Sequence, residues 1–387
     1  METRIRHRLV LIAPPFQGHL TPMLQLATIL HSKGFSITIP HDDNFNSPNP
    51  SNHPNFSFLP LFYGLSETQI SSKNIVDISV TLNAMCVSPL KELLVDQIEK
   101  GNMNHEKIAC VIYDGLMHSI DSVKAITKTL AVRPSLGVIC NTVNCLEEKS
   151  LHRLRDLYKV SVFPIGPLHM IAGEDSSSSS FVEEDYSCIG WLNNQATKSV
   201  LYVSLGSIAS WDEKELTEVA WGLANSKQKF LWVIRPGTIN DVSEWLESLA
   251  EEVKVAIEER GCIVKWAPQG EVLAHQCVGG FWSHCGWNST LESLCEGVPI
   301  MCQPHFGDQR VNARLLTQAW KVGLEWSNVI ERDEVEGAVR RLMVSEEGKE
   351  MGQRALKLKN QIKLGVRGGS SYDALNELVN RMLSANL

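Results

Sequence analysis

Two successive series of short β-branched runs, each alternating with helix-like stretches, constrain this chain more than any other feature. The first series takes in residues 7–14 (HRLVLIAP), 35–40 (FSITIP), 56–61 (FSFLPL), 108–114 (IACVIYD), 137–142 (GVICNT) and 162–166 (VFPIG). The second takes in 199–207 (SVLYVSLGS), 229–236 (KFLWVIRP), 261–268 (GCIVKWAP), 278–285 (VGGFWSHC), 299–304 (PIMCQP) and 322–327 (VGLEWS). A continuous apolar run bounded by turn residues suits a strand buried on both faces, and helices between such runs supply the cover. The pattern predicts an α/β protein built on two doubly wound parallel sheets. Between the series, residues 169–185 (HMIAGEDSSSSSFVEED) read as a flexible linker or surface loop.

Bulk properties narrow the function. A chain of 387 residues with 43% apolar content buries a large core and is long enough for two or three domains. Its 44 acidic residues outnumber 36 basic ones, and no basic stripe is present that would track a phosphate backbone, which argues against nucleic-acid binding. No apolar run approaches the roughly 20 residues of a membrane span. The basic lead METRIRHR is followed by no small-residue cleavage site, so a cytoplasmic protein is expected. Ten cysteines are scattered without a paired or zinc-like spacing, so they read as reduced core residues and no metal site is expected. Cys285 beside His284 is no nucleophile pair, because neighbours on a strand point to opposite faces. Asp42 and Asp43 in HDDNF read as solvated loop acids.

The most specific stretch runs from Trp266 to Gln309 and reads strand, helix, strand, sharp turn, helix, strand. At the turn, SHCGWNSTLE places Gly286 where the backbone must bend and leaves Asn288, Ser289 and Thr290 at a helix amino terminus. Such a terminus, at the carboxyl edge of a parallel sheet, suits a diphosphate. The S-x-x-E spacing of Ser289 and Glu292 also fits a capping box that serves the helix alone.

The order W-x-P-Q, H-C-G-W-N-S, E-G-V-P and D-Q across this stretch resembles the signature box of plant family-1 UDP-sugar-dependent glycosyltransferases. The likeness extends through PPFQGHLTPMLQLATILHSKGFSITI, SVLYVSLGSIA, EVAWGLANSKQKFLWVIRPG and GSSYDALNELVNRML. It is nearest the subfamily that glucosylates terpenoids, flavonoids and cytokinin-like molecules. It implies the GT-B architecture, two Rossmann-like domains facing across a cleft. Residues 1–175 would bind the acceptor and 186–370 the UDP-sugar, with 371–387 a helix packing back on the first domain.

The resemblance further implies that Trp266 stacks on the uracil, that Gln269 helps fix the nucleoside and that Glu292 accepts from both ribose hydroxyls. His284, Asn288 and Ser289, with the backbone of Gly286 and Trp287, would hold the diphosphate, and Ser207 would add a donor. Asp308 and Gln309 would bind the sugar, the glutamine going with glucose. UDP-glucose is then the donor substrate, no separate cofactor or metal is required, and the acceptor is a small lipophilic metabolite. A monomer without a membrane span is expected.

His19, in PPFQGHLTP, stands where a phosphate-binding turn would carry glycines. An imidazole, with an ordinary pKa near 6.5, suits removal of a proton from an acceptor hydroxyl. The resemblance makes His19 the general base and Asp114, at the end of VIYD, the carboxylate behind it. The reaction would be a direct displacement with inversion at the anomeric carbon.

One departure stands out. Family members run several tens of residues longer, and the shortfall lies between 113–119 and 136–142, where IDSVKAITKTLAVRPS replaces a strand and several helices. Two readings follow: an active UDP-glucosyltransferase, and an impaired relative that keeps UDP-sugar binding. A nicotinamide-dependent dehydrogenase is disfavoured, because no G-x-G-x-x-G follows any of the runs.

Overall fold

Leu9, Val10, Leu11 and Ile12 are wholly buried in the first strand, and they alternate between two cores. Leu9 and Leu11 pack with Leu24, Leu30 and Ile37 on one face; Val10 and Ile12 pack with Ile78, Leu82 and Leu90 on the other. The absence of polar alternation in this run is thus explained by cover on both sides. The computed structural model describes residues 6–42, 47–61, 65, 75–103, 106–117, 136–173, 183–239, 241–326 and 330–384.

The chain divides into two compact units, one of residues 1–181 with 364–387, the other of 182–363. The second division falls inside the helix Glu346–Val366, so residues 364–370 belong with the first unit, short of the boundary expected at 370.

In the first unit the strands are β1 (Arg6–Ile12), β2 (Ser36–His41), β3 (Phe56–Pro60), β4 (Glu106–Tyr113), β5 (Val138–Cys140) and β6 (Val162–Pro164). The first four form one parallel sheet in the order β3-β2-β1-β4, with the reversal of direction at β1 that marks double winding. Among the described residues β5 and β6 pair only with each other, so the six runs make two sheets. The residues that carry the shortfall, 118–135, lie outside those described. Ile108 to Tyr113 and Val138 to Cys140 are only partly buried, whereas Leu9 to Ile12 of β1 are sealed.

The C-terminal helix Ser370–Ser384 lies in this unit. Leu375, Leu378 and Met382 enter the core beside Leu24, and Ser371 Oγ donates to the Gly166 carbonyl across 2.7 Å. Part of the expected linker is ordered: Leu168–Ala172 form a short helix because Leu168 and Ile171 pack on that core, while 174–182 lie outside the described residues. Asp42 is buried at the end of β2 rather than solvated; Asp43 lies outside the described residues.

In the second unit β7 (Val200–Ser204), β8 (Lys229–Val233), β9 (Gly261–Val264), β10 (Val278–Ser283), β11 (Ile300–Cys302) and β12 (Gly323–Glu325) form one parallel sheet, β12-β11-β10-β7-β8-β9. Strand order reverses between β7 and β10, which opens a crevice at their carboxyl ends. In the core of this unit Trp211, Trp232, Trp245, Trp282 and Trp326 pack edge to face at 4.9–6.1 Å. Each such contact contributes about 0.5–1.5 kcal/mol beyond area burial.

Among the described residues no single helix is long and apolar enough to cross a membrane. Asp77–Met85 and Val87–Asp96 pass together on length and composition but bend by 44°, and their apolar faces are core.

Candidate active site

In the first unit, β1 and β4 pair in register from Leu9 opposite Cys110 to Ile12 opposite Tyr113. Two residues 95 apart are thereby brought to one sheet edge: Asp114 just past β4, and His19 in the first turn of the helix Gln17–Ser32 that follows β1. His19 Nδ1 lies 3.0 Å from Asp114 Oδ2. Asp114 Oδ1 accepts from the Leu116 amide at 2.8 Å, and the Asp114 amide donates to the Ile12 carbonyl at 2.9 Å, so the carboxylate is fixed in direction. Burial opposes its charge, but the hydrogen bond and charge of His19 and the Leu116 amide outweigh burial and hold the carboxyl below its ordinary value. An ionised carboxylate only accepts, so Nδ1 carries the proton and Nε2 is the basic nitrogen. The imidazole is 37% exposed, enough for a substrate hydroxyl to reach it.

In the second unit the crevice between β7 and β10 is built around His284. Its ring lies between two glycines: a Cβ on Gly206 would fall 2.4 Å from Cε1, and one on Gly286 2.4 Å from Nε2. Gly206 also has a φ of +71°. The sharp bend expected at Gly286 falls instead at Cys285, which has a φ of +63°, while Gly286 is extended at φ −60°. Close approach of the imidazole, and not backbone hand, explains the glycine at 286. Cys285 is held there by the Ser283 hydroxyl, which accepts from its amide at 3.1 Å, and is fully buried, as expected of a core cysteine. Burial, with His305 and Arg235 nearby, pushes His284 down to about 4, so the ring is neutral at pH 7. Among the described residues its buried Nδ1 has no hydrogen-bond partner.

The helix Trp287–Glu296 starts at the N-cap Gly286 with no side-chain cap. The capping box that the S-x-x-E spacing allowed is absent, because Ser289 lies inside the first turn and its Oγ accepts from Gln269 Nε2 at 2.9 Å. The same nitrogen donates to Glu292 Oε2 at 2.6 Å, and Tyr202 OH donates to Gln269 Oε1 at 3.4 Å. Burial raises Glu292 to about 7, against the lowering effect of Gln269. Trp287 and Asn288 fill the rest of the first turn, partly buried. Trp266, beyond β9, is partly exposed, and its carbonyl accepts from the Asp185 amide.

Asp308 and Gln309 open the helix Gln309–Arg314 beyond β11. Gln309 Oε1 accepts from the His305 and Phe306 amides at 2.8 and 3.1 Å. Asn312 joins this corner to the turn, its Nδ2 donating to Asp308 Oδ2 at 2.9 Å and to the Cys285 carbonyl at 3.0 Å. Ser207, after β7, gives its carbonyl to Arg235 at 2.7 Å. Ser207, Gly286, His284, Trp287, Asn288, Ser289, Glu292, Gln269 and Trp266 thus share the carboxyl edge of one sheet, with Asp308 and Gln309 beyond its next strand. Asn312, Tyr202 and Arg235 escaped the sequence reading. Asn312 stands four residues after Asp308, one helical turn on, the only local signal it gives. Among the described residues no cluster of His, Cys, Asp or Glu is arranged to hold a metal ion.

A switch-point crevice beside an uncapped helix start is an anion-binding arrangement of the kind that nucleotide-binding α/β folds use. Residues 140–359 match the family model described as UDP-glucoronosyl and UDP-glucosyl transferase. The chain is similar to UDP-glycosyltransferase 76E1 of Solanum lycopersicum, with 41% identity over 98% of this chain and 93% of that protein. It is 40% identical to flavonol 3-O-glucosyltransferase UGT76E12 of Arabidopsis thaliana, over 98% of each. In fold it resembles Os79 of O. sativa in complex with UDP, at a TM-score of 0.79 and 23% identity, covering 96% of this chain and all of that one. The chain belongs to the plant UDP-glycosyltransferase family and is an enzyme of that class. The tomato alignment runs over 449 positions against a chain of 387 residues, so dozens of that relative's positions have no counterpart here.

Proposed function

We propose that this chain transfers glucose from UDP-glucose, with inversion, to a hydroxyl of a small lipophilic plant metabolite. The observation that carries the reading is the 3.0 Å bond from His19 Nδ1 to Asp114 Oδ2, which leaves Nε2 basic. As the acceptor oxygen bonds to the anomeric carbon, its proton passes to Nε2 and the imidazolium is stabilised by Asp114. The bond from that carbon to the diphosphate breaks, and its electron pair leaves with UDP. An α-linked donor therefore yields a β-glucoside.

On this reading Trp266 covers the uracil, Gln269 fixes the nucleoside and Glu292 accepts from the ribose. His284, Asn288, Ser289, Ser207 and the backbone at Gly286 and Trp287 receive the diphosphate, and Asp308 and Gln309 the sugar. The helix dipole and hydrogen bonds stabilise the leaving group, the donor serves as substrate, and neither a separate cofactor nor a metal is called for. The chain works as a cytoplasmic monomer. The flavonol activity printed in the Arabidopsis relative's name and the UDP held by the rice structure support the acceptor and donor classes.

A second reading, a relative that binds UDP-sugar but turns it over poorly, is favoured by one observation: β4 and β5 belong to separate sheets with partly exposed apolar residues. Incubation with UDP-glucose and a panel of flavonoids and terpenoids, read by mass, separates the two. A hexose adduct on any acceptor supports transfer. UDP binding without an adduct supports the second reading, and no UDP binding at all removes both.

A further inference from the structure

Arg235 follows β8 by two residues, at the same carboxyl edge as the crevice and beside β7, with which β8 pairs. Its guanidinium reaches across to the loop after β7, where one nitrogen donates to the Ser207 carbonyl at 2.7 Å and the other to the Ala209 carbonyl. That loop contains Gly206, whose Cα abuts the His284 ring. Ser204, Gly206, Ala209 and Arg235 also line one small open pocket.

Among the described residues the charge on this arginine meets no opposite charge. Among the described residues no carboxylate lies within ion-pair distance of it, whereas Arg332, Arg341, Arg354 and Arg381 each pair with a glutamate. A partly buried cation satisfied by carbonyl dipoles alone keeps its full charge, and a partner anion repays its desolvation. The neighbouring imidazole adds no charge of its own at neutral pH, and among the described residues its buried Nδ1 is likewise without a partner. Two unanswered polar groups, one cationic, thus flank a loop beside an uncapped helix start. Their complement is an anionic group that can also donate to, or accept from, the imidazole nitrogen.

We propose that Arg235 is the charge-bearing positioning residue of the donor site: its fork holds the Ser207–Ala209 loop against His284 and its positive field attracts the diphosphate. The inference rests on the donor-site reading above. It deepens that reading by placing the compensating charge on β8, outside the signature box.

The test compares UDP with uridine, which has the same base and ribose but no phosphate. Calorimetric titration of the full chain, R235M and R235K is run at low and moderate salt, with a thermal melt of each variant. R235M is expected to weaken UDP by about tenfold or more and uridine by less than about twofold, as loss of a charge-assisted contact requires. Salt is expected to weaken UDP binding less in R235M than in the unsubstituted chain. R235K, which keeps the charge but not the two-pronged grip, is expected to fall between. Equal weakening of UDP and uridine, or UDP affinity within twofold of the unsubstituted chain, overturns the proposal. If R235M fails to fold, R235K decides by the same ratio, UDP-selective loss supporting it and equal or no loss overturning it. An unsubstituted chain that binds uridine but not UDP defeats the charge assignment; one that binds neither defeats the donor-site reading beneath it.

Discussion

Gln269 Nε2 stands 2.6 Å from Glu292 Oε2, tying the helix Gln269–Ala274 to the helix Trp287–Glu296 through a carboxyl that burial lifts to about 7. Ribose hydroxyls donate best to the ionised form, so UDP affinity is expected to rise from pH 5.5 to 8 and to flatten in Glu292→Gln. Stability runs the other way. A carboxyl raised above its unfolded value holds its proton in the folded state where the unfolded chain has lost it. Its favourable contribution is therefore complete below the unfolded value near 4.5 and is lost as pH rises through about 7. Calorimetry and urea unfolding across this range check both slopes; a pH-independent affinity sinks the ribose assignment.

His19→Ala is expected to lower turnover by about a hundredfold or more while UDP affinity stays within twofold, because the imidazole acts on the acceptor proton. Asp114→Asn should lose less, since it removes the charge behind the ring but keeps an atom for Nδ1 to bond. Steady-state rates with titrated UDP binding measure both. Equal activity of His19→Ala and the unsubstituted chain would hand the proton to another group.

Replacement of Trp266 by Ala is expected to weaken UDP and uridine alike, by about 1–3 kcal/mol, if an aromatic face covers the base. This contrasts with Arg235, whose loss discriminates between the two. Unchanged affinity for both removes stacking from the account.

Gly206→Ala sets a Cβ into the His284 ring at a φ of +71°. Strain of this kind costs about 1–3 kcal/mol, and the easiest relief displaces His284 or the loop. UDP affinity should fall with only modest loss of unfolding free energy, measured on the same samples. A variant that binds UDP normally would show that the loop moves freely.

The first unit is expected to open before the second. Ile108 to Tyr113 and Val138 to Cys140 are only partly buried, and at about 25 cal/mol per Å² each 400 Å² of apolar surface without cover costs about 10 kcal/mol before repacking, comparable with a domain's net stability. Limited proteolysis should cut the first unit first, and grafting the longer segment of a full-length relative should slow the cuts and raise turnover. Equal resistance and activity in both forms would make the shortening a tolerated trim.

The twelve strands among the described residues were legible as short apolar runs, most plainly in β1, β7, β8 and β10, where cover on both faces leaves its mark on successive residues. The element order of Trp266 to Gln309 was legible as well, since helix, strand, turn, helix and strand each leave their own local pattern. The pairings were not. That His19 meets Asp114 depends on the parallel register of β1 and β4, and that β4 and β5 part company depends on hydrogen bonding between strands. The capping box of Ser289 and Glu292 looked complete locally, yet Gln269 takes both side chains from another helix. Cys285, not Gly286, bears the left-handed turn, and the glycine at 286 instead makes room for the His284 ring. Arg235, though inside a stretch of family likeness, and Asn312 were not singled out by any local signal of chemistry. Their meaning lies in which carbonyls and carboxylates face them, and only chain folding over long sequence separations decides that.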